Sequence, residues 1–182
     1  MNRKVKNVIT AVLIAAVAVA AVILLFGRRT LTRSASSGAE EGANACTIAI
    51  TCGTILDNMD ILDKEKHELI PEDGVILPET VVSFEDGDSA FDVLEKVCRS
   101  QRIHLEFEES PMYGSIYIEG IGNIYEFDCG SLSGWMYSVN DEFPMFGSSE
   151  YVLKDGDRIV FAYTCDMGTD VGNASVGADG YE

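Results

Sequence analysis

This chain is short of the residues that most enzymes use. Its 182 residues hold two histidines, one tryptophan and four prolines, and 13 Lys/Arg stand against 30 Asp/Glu. No HExxH, GxSxG, P-loop or dinucleotide-binding pattern occurs, which speaks against the common metalloprotease, serine-hydrolase and nucleotide-dependent classes. His104 alternates with Leu105 as a surface residue of a strand does, and His67 sits in a charged run. Cys98 and His104 can be drawn as a thiol–imidazole pair, but burial or oxidation of Cys98 is the stronger expectation. None of the five cysteines lies in a CxxC pair, so zinc and thioredoxin-like readings have no support. Asp57, Asp60 and Asp63 are spaced by three, as on a solvated helix face, without the glycine and glutamate of a calcium loop. Asp155-Gly156-Asp157 reads as a turn. The expectation is a protein that binds rather than transforms, with no catalytic residues and no metal.

Charge is split along the chain. Residues 1–33 carry six Lys/Arg and no acid, so residues 34–182 hold seven Lys/Arg against 30 acids, a net charge of −23. Such a surface repels nucleic acid. Ile9 to Phe26 is the one long apolar run, 18 residues without a charge. As a helix it spans about 27 Å, close to the hydrocarbon thickness of a bilayer. It is expected to be a single transmembrane signal anchor (9–26) behind a basic cytoplasmic N-terminus (1–8). Basic residues flank it evenly, with Arg3, Lys4 and Lys6 before it and Arg28, Arg29 and Arg33 after, so orientation rests on cysteine. Cys46, Cys52, Cys98, Cys129 and Cys165 all follow the anchor, which fits an oxidising, extracytoplasmic compartment at the cell membrane. Residues 27–45 read as a flexible spacer and 167–182 as a Gly/Asp/Ala-rich disordered tail. Cys46 lies too far beyond the apolar run for a lipoprotein cysteine, and Ala43 stands three residues before it where a leucine is usual.

Residues 46–166 are long enough for one core. CTIAITC alternates as a half-buried strand, and GVILPETVVSF gives one or two strands broken at Pro78. DSAFDVLEKVCRSQ is the clearest helix, with Ser89 and Asp92 matching a capping box and Phe91, Leu94, Val97 and Cys98 forming its apolar stripe. IHLEFE, SIYIEGI and IYEFDC read as strands. GWMYSV and EFPMF flank an Asn140-Asp141 hairpin turn, and RIVFAYTC closes the domain. The fold class is α+β, a mostly antiparallel sheet with one packed helix. Strand parity pairs Cys52 with Cys165, if the first and last strands are parallel neighbours, and Cys98 with Cys129, leaving Cys46 free. Five cysteines permit fifteen such schemes.

Seven of the 16 aromatic residues fall in Gly134–Thr164, from Trp135 to Tyr163. Gly134-Trp135-Met136-Tyr137, Val139-Asn140, Gly147, Tyr151 and Leu153-Lys154-Asp155-Gly156-Asp157, with the capped helix in Glu85–Val97, resemble the transcobalamin-like C-terminal domain of bacterial surface proteins. The resemblance covers about Cys46–Asp166 and implies a β-grasp-like sheet. It also implies a soluble ligand, and through the related domain of transcobalamin and intrinsic factor that ligand would be cobalamin or another corrinoid. In those proteins the domain closes over cobalamin against a helical barrel for which this chain has no sequence, so half of such a site is missing. Asp141 stands where the family usually has glycine.

Trp135 and Tyr137 share one face of their strand, and Phe143 and Phe146 lie in the loop beyond it. These four are the candidate ligand-binding residues, suited to a flat, partly apolar ligand such as a corrinoid, a glycan or a cell-wall peptide. The alternative is a structural or adhesive surface module that binds a surface protein or the wall, with the same aromatics serving as core. A cleft lined by Trp135 and Tyr137 favours the first reading, and a flat apolar patch favours the second.

Overall fold

The computed structural model describes residues 44–110 and 114–173, all within one compact unit, Glu41–Glu182. The expected basic N-terminus, the membrane anchor at 9–26 and nearly all of the spacer lie outside the described residues, as do residues 174–182. Among the described residues no helix is long and apolar enough to cross a membrane.

The first strand, β1 (Asn44–Thr51), buries Cys46, Ile48 and Ile50 on one face, as its alternation requires. It forms an antiparallel pair with β2 (Val75–Phe84). The register shifts between the Ile48↔Thr80 and Ile50↔Leu77 pairs, so Pro78 sits at a bulge within one continuous strand. An edge strand tolerates a residue without an N–H there. The helix α1 (Ala90–Gln101) follows. Its capping box is complete, with Ser89 accepting from the Asp92 N–H and Asp92 accepting from the Ser89 N–H. The stripe of Phe91, Leu94, Val97 and Cys98 is buried against the sheet.

Three strands then form a small antiparallel sheet in the order β3 (Leu105–Ser110), β4 (Ser115–Ile121), β5 (Ile124–Tyr125). The chain returns to the first sheet through β6 (Gly134–Val139) and β7 (Arg158–Thr164), giving the order β2-β1-β7-β6. The strands thus form two sheets rather than one; four of the five pairings are antiparallel, as expected, and the central pair of the larger sheet is parallel, with Ile48 opposite Ile159 and Ile50 opposite Phe161.

Asn140 and Asp141 form the expected tight turn, both at positive φ (53° and 67°) and closed by a Val139↔Glu142 bridge. EFPMF does not continue it as a strand, because β6 pairs with β7 instead and Pro144 lacks an N–H for a ladder. Asp155-Gly156-Asp157 is structural. The Asp157 carboxylate accepts from the Lys154 N–H at 2.9 Å and from Asn140 Nδ2 at 2.9 Å, tying two turns together. The chain stays folded past the expected boundary at 166. A 3-10 turn covers Thr169–Val171 and Asn173 is buried, so the domain runs at least to residue 173.

The core has two parts. The larger lies between α1 and the four-stranded sheet. The smaller gathers Cys52, Ile55, Leu62, Ile124, Cys129 and Tyr163. Trp135 packs against both.

Candidate functional site

The edge strand β6 has a neighbour on one side only. Pairing with β7 sets Trp135 against Tyr163 and Tyr137 against Phe161 on the core face, and Met136 against Ala162 on the other. The Trp135 ring meets Tyr163 edge-on at 5.3 Å, and its Nε1–H donates to the Ile124 carbonyl at 2.8 Å. Tyr137 stacks near Phe161 at 5.9 Å and donates its hydroxyl proton to the Phe146 carbonyl at 2.8 Å. Both rings are therefore fixed by hydrogen bonds and by core on one side, and both remain half-buried.

Two hollows open along this strand. One, about 150 Å³, is lined by Ile116 and Ile118 of β4 and by Trp135, Met136 and Tyr137. The other, about 360 Å³, is lined by Phe127, Leu132, Trp135, Met136 and Met167, with Thr164 and Ser133 as polar wall. Tyr117, Trp135 and Met136 line both, so the two adjoin as lobes of one cleft with Tyr117 in the wall of each. Because Trp135 and Met136 point to opposite faces of β6, a cleft that touches both runs along the strand's open edge. There every second residue turns its N–H and C=O outward, which supplies polar groups beside an apolar wall.

The rim is acidic. The Tyr117 hydroxyl hydrogen-bonds to Glu126, and burial with that bond raises the Tyr117 pKa to about 12. Glu119 is pushed up by partial desolvation and then by repulsion from Glu108, Glu106 and Glu126. Beyond them Tyr125 donates to Glu106 at 2.6 Å, which lowers the Glu106 pKa, and His104 Nε2 lies 2.9 Å from the Tyr125 hydroxyl. This side of the cleft disfavours anions. Among the described residues no group of three His, Cys, Asp or Glu side chains is arranged to hold a metal.

Of the four aromatics singled out from sequence, the structure brings Trp135 and Tyr137 to the cleft. Phe146 stacks on Tyr151 at 6.1 Å, and neither it nor Phe143 lines a lobe. Sequence reasoning missed Tyr117, Phe127, Leu132 and Met167. Tyr117 had a signal, since alternation in SIYIEGI sets it opposite Ile116 and Ile118 on the outer face, where a large aromatic needs a reason. Phe127 had none. It was expected to share a strand face with Tyr125, but β5 ends at Tyr125 and Phe127 adopts φ 66°, which turns its ring out to 61% exposure.

The same turn separates the two cysteines of one expected disulfide. Cys129 leaves the strand and enters the smaller core cluster, whereas Cys98 belongs to the larger, so these two do not face each other. Cys52 and Cys165 share the smaller cluster with Cys129, and all five cysteines are thiols in this structure.

Residues 87–165 match a family profile described as a domain of unknown function, DUF4430, known as transcobalamin-like. This segment is similar to that family over 79 of the chain's 182 residues. It contains α1, the small sheet, β6, β7 and every residue of the cleft except Met167. Among solved structures, haptocorrin in complex with Cbi aligns at 14% identity and a TM-score of 0.45, covering 67% of this chain. This chain spans 25% of haptocorrin. A protein from Ruminococcus gnavus ATCC 29149, described as a candidate metal-binding protein, aligns at 16% identity and a TM-score of 0.40 over 66% of this chain and 96% of its own. No curated protein matches.

Proposed function

We propose that the transcobalamin-like domain binds, without transforming it, a small flat and largely apolar ligand that rests on Trp135 and Met136 under Tyr117. The observation that carries this reading is the cleft along β6, built on a hydrogen-bonded tryptophan and walled by an exposed tyrosine. Apolar walls with a few convergent polar groups are the usual make-up of ligand sites. The acidic rim selects neutral or cationic ligands over anionic ones. A corrinoid is the class that the family resemblance implies, and the strand order β2-β1-β7-β6 about a parallel centre supports the β-grasp-like sheet that the same resemblance implies. The larger lobe, about 360 Å³, is near the small end of ligand sites. It would grip one edge of a corrinoid and leave the rest to solvent or to a second protein. Phe127, Leu132 and Met167, exposed at the mouth, favour the second reading, a surface-protein partner that covers the cleft.

Equilibrium dialysis of the full chain tests the proposal, with aquacyanocobinamide, a muropeptide and an oligosaccharide as probes. One probe binds, and Tyr117→Ala weakens it about tenfold, the loss expected for one half-buried ring. Met145→Ala, outside both lobes, leaves binding unchanged. Failure of all three probes at high micromolar concentration, or equal binding by the Tyr117 variant, contradicts the reading.

We further take residues 9–26 as the anchor that holds this domain outside the cell membrane. A membrane-impermeant maleimide applied to intact, reduced cells under mild unfolding then labels Cys165. Labelling only after lysis would refute this topology.

A further inference from the structure

The smaller core cluster gathers three of the five cysteines, Cys52, Cys129 and Cys165. Cys129 and Cys165 both sit against the 3-10 helix Gly53–Asp57. Cys129 Sγ lies 3.5 Å from the Asn58 carbonyl and Cys165 Sγ 3.7 Å from Thr54 Oγ1, while Asn58 Nδ2 binds the Thr54 carbonyl at 2.8 Å. Burial first, and then the neighbouring Cys165, push the Cys129 thiol up to about 12. Cys52 is close but misplaced. Extending the parallel register from Thr51↔Ala162 sets Cys52 opposite Tyr163, two residues short of Cys165, or about 6–7 Å along the strand.

We propose that Cys129 and Cys165 form a disulfide, and that this bond staples the two segments that wall the larger lobe of the cleft. Cys129 opens the turn that supplies Ser131, Leu132 and Ser133, and Cys165 lies between Thr164 and Met167, all lining that lobe. The walls already meet through the Met167 N–H, which donates to the Leu132 carbonyl at 2.9 Å, and the turn is closed by Cys129 N–H donating to Ser133 Oγ at 3.1 Å. A covalent bond beside these contacts fixes the wall spacing whatever the cleft holds. The oxidant is a small-molecule or protein disulfide, RSSR. Cys165 is partly exposed and Cys129 buried, so Cys165 reacts first: its thiolate attacks RSSR, forms a mixed disulfide and releases one RSH. The Cys129 sulfur then attacks the Cys165 sulfur of the mixed disulfide and expels the second RSH. Two cysteine thiols are oxidised, one RSSR is reduced to two RSH, and the protons balance.

The test uses the full chain, reduced, then treated with oxidised glutathione at about pH 8. Peptide mass mapping without reduction shows one dominant link, Cys129 to Cys165, with two of the five thiols lost. Thermal unfolding shifts up by roughly 10 °C, as closing a loop of this length does, and dithiothreitol reverses it. Cys165→Ser, at a partly exposed position, abolishes link and shift, and Cys98→Ser changes neither. The wild-type map decides the matter even where a variant folds poorly. A dominant Cys52–Cys165 or Cys98–Cys129 link, or five remaining thiols with unchanged unfolding, overturns the proposal.

Discussion

Cys46, Cys52 and Cys98 are buried thiols whose pKa values burial pushes up from 9.0 to about 11. Between these values the folded chain holds protons that the unfolded chain has lost, so stability falls as pH rises from about 9 to 11 and is fully present below that window. The effect is on the order of 1–2 kcal/mol per thiol. Urea denaturation midpoints across this range check it. The midpoint drops, and the drop is smaller in Cys98→Ala. A midpoint independent of pH there would show that the thiols titrate alike in both states. None of these three participates in the Cys129–Cys165 pair, so the slope persists when that pair is oxidised. The same burial keeps Cys46, Cys52 and Cys98 as thiols at neutral pH, so none of these three is on offer as a nucleophile.

Among the elements, the turn after β6 is where local preference and observed conformation disagree most. Asn140 suits its positive φ, but Asp141 holds φ 67° where glycine costs nothing. Asp141 also pairs with Arg158 at 2.6 Å, on the surface, where such a pair contributes a few tenths of a kcal/mol. The backbone term is the larger, so Asp141→Gly stabilises the domain by about 0.5 kcal/mol, read from the denaturation midpoint. Destabilisation would mean that the ion pair outweighs the strain. The helix α1 was legible in sequence because its signals are local: Ser89 and Asp92 three apart, then an apolar stripe. β1 was legible because Cys46, Ile48, Ile50 and Cys52 alternate. Parity failed where the chain departs from a regular strand. β5 ends at Tyr125 and Phe127 takes a positive φ, so strand parity no longer fixes the sides of the residues after it. That single event hid an exposed cleft residue and misdirected the pairing of Cys129.

For the molecule as a whole, what sequence could not supply is register over long separation. Nothing local in Thr47 and Arg158 announces that they are partners in a parallel pair. The division of seven strands into two sheets follows from such pairings. The cleft exists because of them, since it lies where β4 of one sheet approaches the open edge of β6 of the other. Trp135 and Tyr137 were identified from composition and family likeness, whereas Tyr117, Leu132 and Met167 come from three separate stretches of chain that only the fold unites.

Trp135 is the only tryptophan in the chain, so its emission lifetime reports on this site alone. Titrating the full chain with aquacyanocobinamide and the other two probes tests the binding claim most directly. The account predicts that one of them shortens the Trp135 lifetime in a saturable way, and that Tyr117→Ala moves the curve to about tenfold higher concentration. A lifetime unmoved by every probe, or a curve indifferent to Tyr117, would contradict it.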